Sequence, residues 1–143
     1  MLTHPFETIN RSILISTIWI FLVLNYLYCD VLSLMDSNLL KQYLTGSVAG
    51  IQVTQTTLLL GSILMEISIA MTLLSRFASR ATSRPLNIVA AIITFLAQAA
   101  TLFKPVTSYY MFFSVIEIGA SLSILMLAIF WKSEAQKTSS LAL

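Results

Sequence analysis

Charged residues are scarce in this chain. Asp, Glu, Lys and Arg together make up 10% of its 143 residues, whereas a typical soluble domain has about 25%. Hydrophobic residues make up 57%, so the composition excludes an ordinary soluble domain and indicates a protein whose surroundings are a lipid bilayer. The net charge is only +2 and no basic stripe with interleaved aromatics is present, so we expect no nucleic-acid partner.

Cysteine and histidine are nearly absent, with one of each. Cys29 cannot form an intramolecular disulfide, and the bulky Tyr28 before it does not fit a lipidation signal, so we interpret it as a helix-packing residue. The lone His4 does not make a metal site. No Walker motif, nucleophile elbow or dinucleotide fingerprint is present. We therefore expect no catalytic residue, metal or cofactor, and an enzyme is the less favoured interpretation.

The sequence contains four long apolar runs. Each is close to the ~20 residues that a helix needs to cross ~30 Å of hydrocarbon. Helices satisfy their own backbone hydrogen bonds in lipid, so we predict an all-α membrane protein, a four-helix bundle with up-down-up-down topology. The predicted transmembrane helices cover residues 12–29, 54–75, 86–103 and 106–131.

The remaining segments complete a single integral membrane domain, residues 1–143. In the long connection between the first two helices, residues 36–44 are predicted to form a short amphipathic helix capped by Asp36 on the outer side. Residues 46–53 are predicted to be extended or re-entrant, with Thr54 capping the next helix. Residues 132–143 are predicted to be a polar tail.

The distribution of Lys and Arg predicts the orientation. Most of these residues fall on one side of the four-span arrangement, and cytoplasmic loops carry such an excess. We therefore predict a multi-pass protein of a bacterial inner membrane with both termini in the cytoplasm. The two sets are Arg11, Arg76, Arg80, Arg84, Lys132 and Lys137 on the inner side, and Lys41 and Lys104 on the outer side.

Two glutamates interrupt the apolar runs near their middles. Glu66 precedes Arg76 by ten residues, or about 15 Å at ~1.5 Å per residue. Glu117 is similarly distant from both ends of the last run. A carboxylate at this depth costs about 2.5–3.5 kcal/mol or more, and such residues usually mark a functional site. We predict that Glu66 and Glu117 bind a ligand; whether they face each other cannot be predicted, because packing sets helix rotation.

Other polar residues are predicted to join the glutamates in the interior. In the third span, Asn87, Thr94, Gln98 and Thr101 have spacings that put them on one helix face. In the first span, Asn25 is predicted to point inward, and Asp30 lies about one turn further out, where it could guard a pocket mouth. The predicted ligand-binding residues are thus Glu66, Glu117, Gln98, Asn25 and Asp30.

Three functions remain open at this stage. The favoured one is the binding of a small lipophilic or amine-bearing ligand in a bundle cavity that the buried glutamates anchor. The second is a structural or accessory membrane subunit whose glutamates only fix helix packing through interhelical hydrogen bonds. The third is a small proton-coupled exporter. A homodimer is left open, and the sequence names neither the ligand nor any transported substrate.

Residues 30–36, followed by residues 61–76 with Glu66 and the closing Arg76, resemble DoxX-like membrane proteins. That resemblance implies a small four-helix bundle with an outer amphipathic segment. Residues 25–36, 45–54 and 109–117 carry a closer resemblance to a bacterial family of unknown function, which implies no reaction.

DoxX-like architecture is also similar to the sterol-isomerase and sigma-2-receptor bundles. Their acidic residues line a pocket for sterols or lipid-like amines, a role that the resemblance would transfer to Glu66. The exporter hypothesis depends on a resemblance in size to the small multidrug family. The membrane glutamate of that family lies in the first helix, which has none here.

Overall fold

The computed structural model describes residues 10–48, 50–103 and 107–131, and they are mostly helical. Four helices are long and apolar enough to cross a membrane, which agrees with the prediction of a multi-pass all-α protein. The elements in chain order are α1 (Arg11–Met35), α2 (Ser37–Leu44), β1 (Ser47–Val48), β2 (Ile51–Gln52), α3 (Gln55–Phe77), α4 (Arg80–Thr101) and α5 (Ser108–Ile129). The polar tail predicted for residues 132–143 lies outside the described residues.

Polar caps define the helix starts that were predicted from the sequence. Asp36 accepts hydrogen bonds from the backbone N–H of Asn38 at 2.9 Å and of Leu39 at 3.3 Å, at the start of α2. Thr54 forms a capping box with Thr57 at the start of α3. These side chains satisfy backbone donors that have no partner within the first helical turn, so both predicted caps are confirmed.

Two helices extend beyond their predicted limits. α1 continues to Met35 rather than ending at residue 29, so Asp30 is a helical residue and not the start of a loop. α4 begins at Arg80 rather than residue 86, with Pro85 inside it. Pro85 removes one backbone hydrogen bond, and the side chain of Arg84 ties this turn to α5 instead.

A two-stranded hairpin connects α2 to α3. Ser47 pairs with Gln52 and Val48 with Ile51, in antiparallel register. Gly50 has a φ of +78°, a conformation that residues with a Cβ rarely adopt. The segment predicted to be extended is therefore a tight hairpin that folds back onto the helices.

The long helices pack in a ring in which α1 and α4 each contact both α3 and α5. The core lies where their apolar faces meet, and its buried residues are Ile15, Trp19, Leu22, Met71, Ala90, Ala91, Ala120 and Ile124. Buried polar residues accompany this core on all four helices. Their hydrogen bonds divide the interior into two regions of different character.

Candidate functional site

One buried region, the Asn87 cluster, consists of Trp19, Ser75, Ser83 and Asn87, all with 0% exposure. The indole Nε1 of Trp19 donates to Asn87 Oδ1 at 2.7 Å, and Ser75 Oγ donates to the same oxygen at 2.9 Å. Asn87 Nδ2 in turn donates to the carbonyl oxygen of Ser83 at 2.8 Å and to its Oγ at 3.1 Å. The cluster joins α1, α3 and α4, and its satisfied bonds are typical of a structural lock.

An arginine cluster, formed by Arg11, Arg80 and Arg84, closes the C-terminal end of α5. All three guanidinium groups donate to main-chain carbonyls of residues 128–131. Arg84 does so twice, at 3.1 Å from Nε and 3.0 Å from Nη2. The last carbonyls of a helix lack partners within it and carry partial negative charge, so cations here satisfy and stabilise the helix end.

The second buried region surrounds Glu117, which is 1% exposed at the middle of α5. Its Oε1 is buried without a hydrogen-bond partner among the described residues. Leaving a buried polar atom unpaired is costly. Unlike the Asn87 cluster, this region therefore contains a group that could accept a hydrogen bond from a bound molecule.

Electrostatic neighbours of Glu117 come from α1 and α5. Tyr26, Cys29 and Asp30 of α1 lie close enough to interact with its carboxylate, and so does Tyr110 of α5. Tyr110 is seven residues before Glu117, about 10 Å along the same helix face at ~1.5 Å per residue. The carboxylates of Asp30 and Glu117 thus interact, although only Glu117 is buried and Asp30 is exposed; these two residues are called the acidic pair below.

A cavity of about 570 Å³, here called the loop cavity, lies where α2 and the hairpin meet the long helices. Glu117 and Asp30 do not line it, but its lining residue Tyr110 interacts with both carboxylates. Side chains from α1, α2, the hairpin, α3, α4 and the start of α5 line it. Its hydroxyl-bearing residues are Ser33, Tyr43, Thr57, Thr101, Thr107 and Tyr110. Its volume lies within the ~300–1,000 Å³ that is usual for small-molecule sites.

Tyr43 of α2 links the loop cavity to the acidic pair. Burial raises the pKa of its phenol, and the nearby carboxylate of Asp30 raises that pKa further. The Tyr43 hydroxyl therefore keeps its proton at neutral pH and can donate a hydrogen bond into the loop cavity.

A smaller cavity of about 280 Å³, here called the lateral cavity, lies between α1, α3 and α4. Tyr26, Thr94 and Gln98 supply its polar groups, and α3 contributes leucines and Met65. Tyr26, which lines the lateral cavity, also interacts with Glu117.

The structure separates the two glutamates that the sequence singled out. Glu117 is buried as expected, but Glu66 is exposed on the outer surface of α3. The expectation that both glutamates lie in the bundle interior is thus wrong for Glu66. The cause is the rotation of α3, which turns Ser68 and Ser75 inward and Glu66 outward.

The other predicted site residues are dispersed. Gln98 is half-buried and its Nε2 donates to Ser114 Oγ at 2.8 Å, one turn before Glu117 on α5. Among the residues that the structure describes, Asn25 donates only within its own helix, to the carbonyl oxygen of Phe21 at 2.9 Å. Asp30 is exposed on α1, yet its carboxylate interacts with Glu117. Of the predicted set, Asp30, Gln98 and Glu117 lie around one region.

Sequence reasoning did not identify Tyr43 and Tyr110 as lining residues. Tyr43 lies within the predicted amphipathic helix of residues 36–44, and Tyr110 lies within the predicted span of residues 106–131. The only available signal was the i, i+4, i+7 spacing of Tyr110, Ser114 and Glu117, which puts three polar groups on one face of an otherwise apolar helix.

Comparison with known proteins gives one match. The model of DUF6326, a family of unknown function, matches residues 5–138. No curated protein and no solved structure matches the chain. The match agrees with the predicted resemblance to a family of unknown function, whereas no finding links the chain to DoxX-like proteins. Within the described residues, no group of three His, Cys, Asp or Glu side chains could hold a metal ion.

Proposed function

Because this chain belongs to DUF6326, a family of unknown function, we propose a function from its own geometry: the binding of a small lipophilic amine. The hydrocarbon part of the ligand occupies the loop cavity, and its ammonium group is held between Glu117 and Asp30. The observation that carries this proposal is the buried Oε1 of Glu117, which lacks a partner among the described residues.

The charge of the site supports a cationic ligand. Two carboxyl groups that interact inside a bundle destabilise each other when both are ionised. An ammonium group between them would neutralise this repulsion and donate the hydrogen bond that Glu117 Oε1 lacks. A neutral or anionic ligand cannot neutralise this repulsion, even if it donates a hydrogen bond to Glu117 Oε1.

The walls of the loop cavity support an apolar body for that ligand. Leu39, Val48, Ile51, Val53 and Leu58 provide apolar surface opposite the hydroxyl groups. Burying hydrocarbon contributes about 25 cal/mol per Å² of apolar surface. A chain of about ten carbons thus gains affinity from the cavity while its polar end is fixed by the acidic pair.

We also propose an up-down-up-down arrangement in a bacterial inner membrane, with both termini in the cytoplasm and α2 on the outer side. Hydrogen bonds between opposite helix ends support the alternation. Ser16 Oγ near the start of α1 donates to the carbonyl oxygen of Thr72 near the end of α3 at 2.6 Å. The excess of Lys and Arg on one side supports the orientation.

Dodecylamine and dodecanol, which have the same hydrocarbon chain, provide a direct test. Binding is measured by calorimetry with the full chain in phosphatidylcholine nanodiscs. We expect saturable binding of dodecylamine, weakened about tenfold or more by Glu117→Gln because a charge-assisted bond is lost. Asp30→Asn should weaken it less, because Asp30 is exposed.

Glu66→Gln is the matched control, since it makes the same chemical change at the same depth on α3. We expect it to leave dodecylamine binding unchanged. If dodecanol binds as tightly as dodecylamine, or if Glu117→Gln has no effect, the amine site is refuted. The accessory-subunit hypothesis would then be the better one.

A further inference from the structure

The outer face of α3 is the least covered surface among the four long helices. Only 11% of its most apolar 18-residue window is buried, compared with 28–33% for the corresponding windows of α1, α4 and α5. Glu66 lies on this open face as the twelfth of the 23 residues of α3. A carboxyl group at the middle of a membrane-spanning helix, facing lipid, is strongly disfavoured.

The exposed residues around Glu66 follow a regular spacing. Leu59, Ser62, Glu66, Ile69 and Leu73 are all exposed. Their separations of three, four, three and four residues are those of the a and d positions of a two-stranded coiled coil. One seam of α3 thus has the pattern by which a helix packs lengthwise against another helix, with Glu66 at its centre and the small polar residue Ser62 one turn before it.

We propose that this seam is the contact between two copies of the chain, which meet along α3 with their Glu66 side chains paired at a twofold axis. A protonated carboxyl group has one donor and one acceptor. Two of them, related by twofold symmetry, therefore satisfy each other and remove both carboxyl groups from lipid. No positively charged partner is then needed.

Two features favour a second copy over an unrelated helix. A polar residue at a single a position, as Glu66 is here, selects a partner with the same residue in register, and an identical chain supplies it without further adaptation. Ser62, one turn before Glu66, is small enough to let the helix backbones approach closely. Gly61 beside it has open space around its Cα, so the helix surface there is uncrowded.

Disulfide cross-linking in native membranes tests the contact without altering Glu66. In a Cys29→Ser background, Ser62→Cys and Leu73→Cys introduce thiols on the seam. Val115→Cys is the control, because Val115 on α5 is 61% exposed and Leu73 is 60% exposed. We expect a product of twice the monomer mass from the seam variants and none from the control.

The role of Glu66 is tested by fluorescence energy transfer between labelled copies diluted into lipid vesicles. Glu66→Leu should raise the dimer dissociation constant about tenfold, as expected for the loss of an interhelical hydrogen bond. Glu66→Gln keeps a donor and an acceptor and should restore association. Equal cross-linking of all three thiols, products of another mass, or an unchanged dissociation constant in Glu66→Leu would overturn the proposal.

Discussion

The Asn87 cluster and the region around Glu117 are equally buried but differ in how their polar atoms are paired. Around Asn87, the indole, hydroxyl and amide groups of three helices bond to one another. Around Glu117, a carboxylate oxygen lacks a partner among the described residues. Paired groups hold helices together, whereas unpaired ones destabilise the fold unless a ligand completes them. The pairing of polar atoms thus distinguishes structural groups from available ones.

The largest expected effect on stability comes from replacing Asn87, the residue at the centre of the Asn87 cluster. Asn87→Leu should lower the free energy of unfolding by about 2–3 kcal/mol, because the Trp19 and Ser75 donors lose their acceptor. Detergent-induced unfolding in mixed micelles measures the change. Asn25→Leu is the matched control, since the Asn25 amide bonds only within its own helix, and it should change stability far less. Equal losses of stability in Asn87→Leu and Asn25→Leu would show that the hydrogen bonds between helices around Asn87 do not stabilise the fold.

An opposite and smaller effect on stability is expected when Glu117 is replaced. Glu117→Leu should raise the free energy of unfolding by about 1–2 kcal/mol in the absence of ligand, because a buried carboxyl without a partner destabilises the fold. Glu117→Gln keeps a polar group there and should remain close to the parent. A loss of stability in Glu117→Leu, measured by the same unfolding assay, would mean that its carboxyl makes a structural bond.

The smallest expected difference in stability is between alanine substitutions of two serines on α3. Ser68 and Ser75 are both 0% exposed and lie two turns apart on one face. Ser75 Oγ donates to Asn87, whereas Ser68 Oγ has no partner among the described residues. Ser75→Ala should reduce stability by about 1 kcal/mol and Ser68→Ala by a few tenths at most. Indistinguishable values would show that hydrogen-bond pairing does not determine how much a buried serine on α3 stabilises the fold.

The sequence was sufficient for the elements that depend on local chemistry. Apolar length predicted the four spans, and capping side chains predicted the starts of α2 and α3. The end of α1 was misplaced because Asp30 was taken as a residue outside the membrane, and the start of α4 because Pro85 was assigned to a first helical turn.

The candidate site was less predictable, because it depends on helix rotation. Glu66 and Glu117 have similar depths and similar apolar neighbours in the sequence, yet one faces outward and the other inward. Hydropathy reports depth and not direction, since packing against neighbouring helices sets rotation. The loop cavity was equally hidden, because α2 and the hairpin form its walls only after they fold back onto α3, α4 and α5.

The arginine cluster also bears on the order in which the protein is assembled. Arg11, Arg80 and Arg84 are translated before α5, and their guanidinium groups bind its final carbonyls. The three guanidinium donors are therefore already synthesised when α5, the last long helix of the described chain, supplies the carbonyl oxygens that accept from them. The docking of the end of α5 against the rest of the bundle therefore depends on three arginines that lie in α1 and α4.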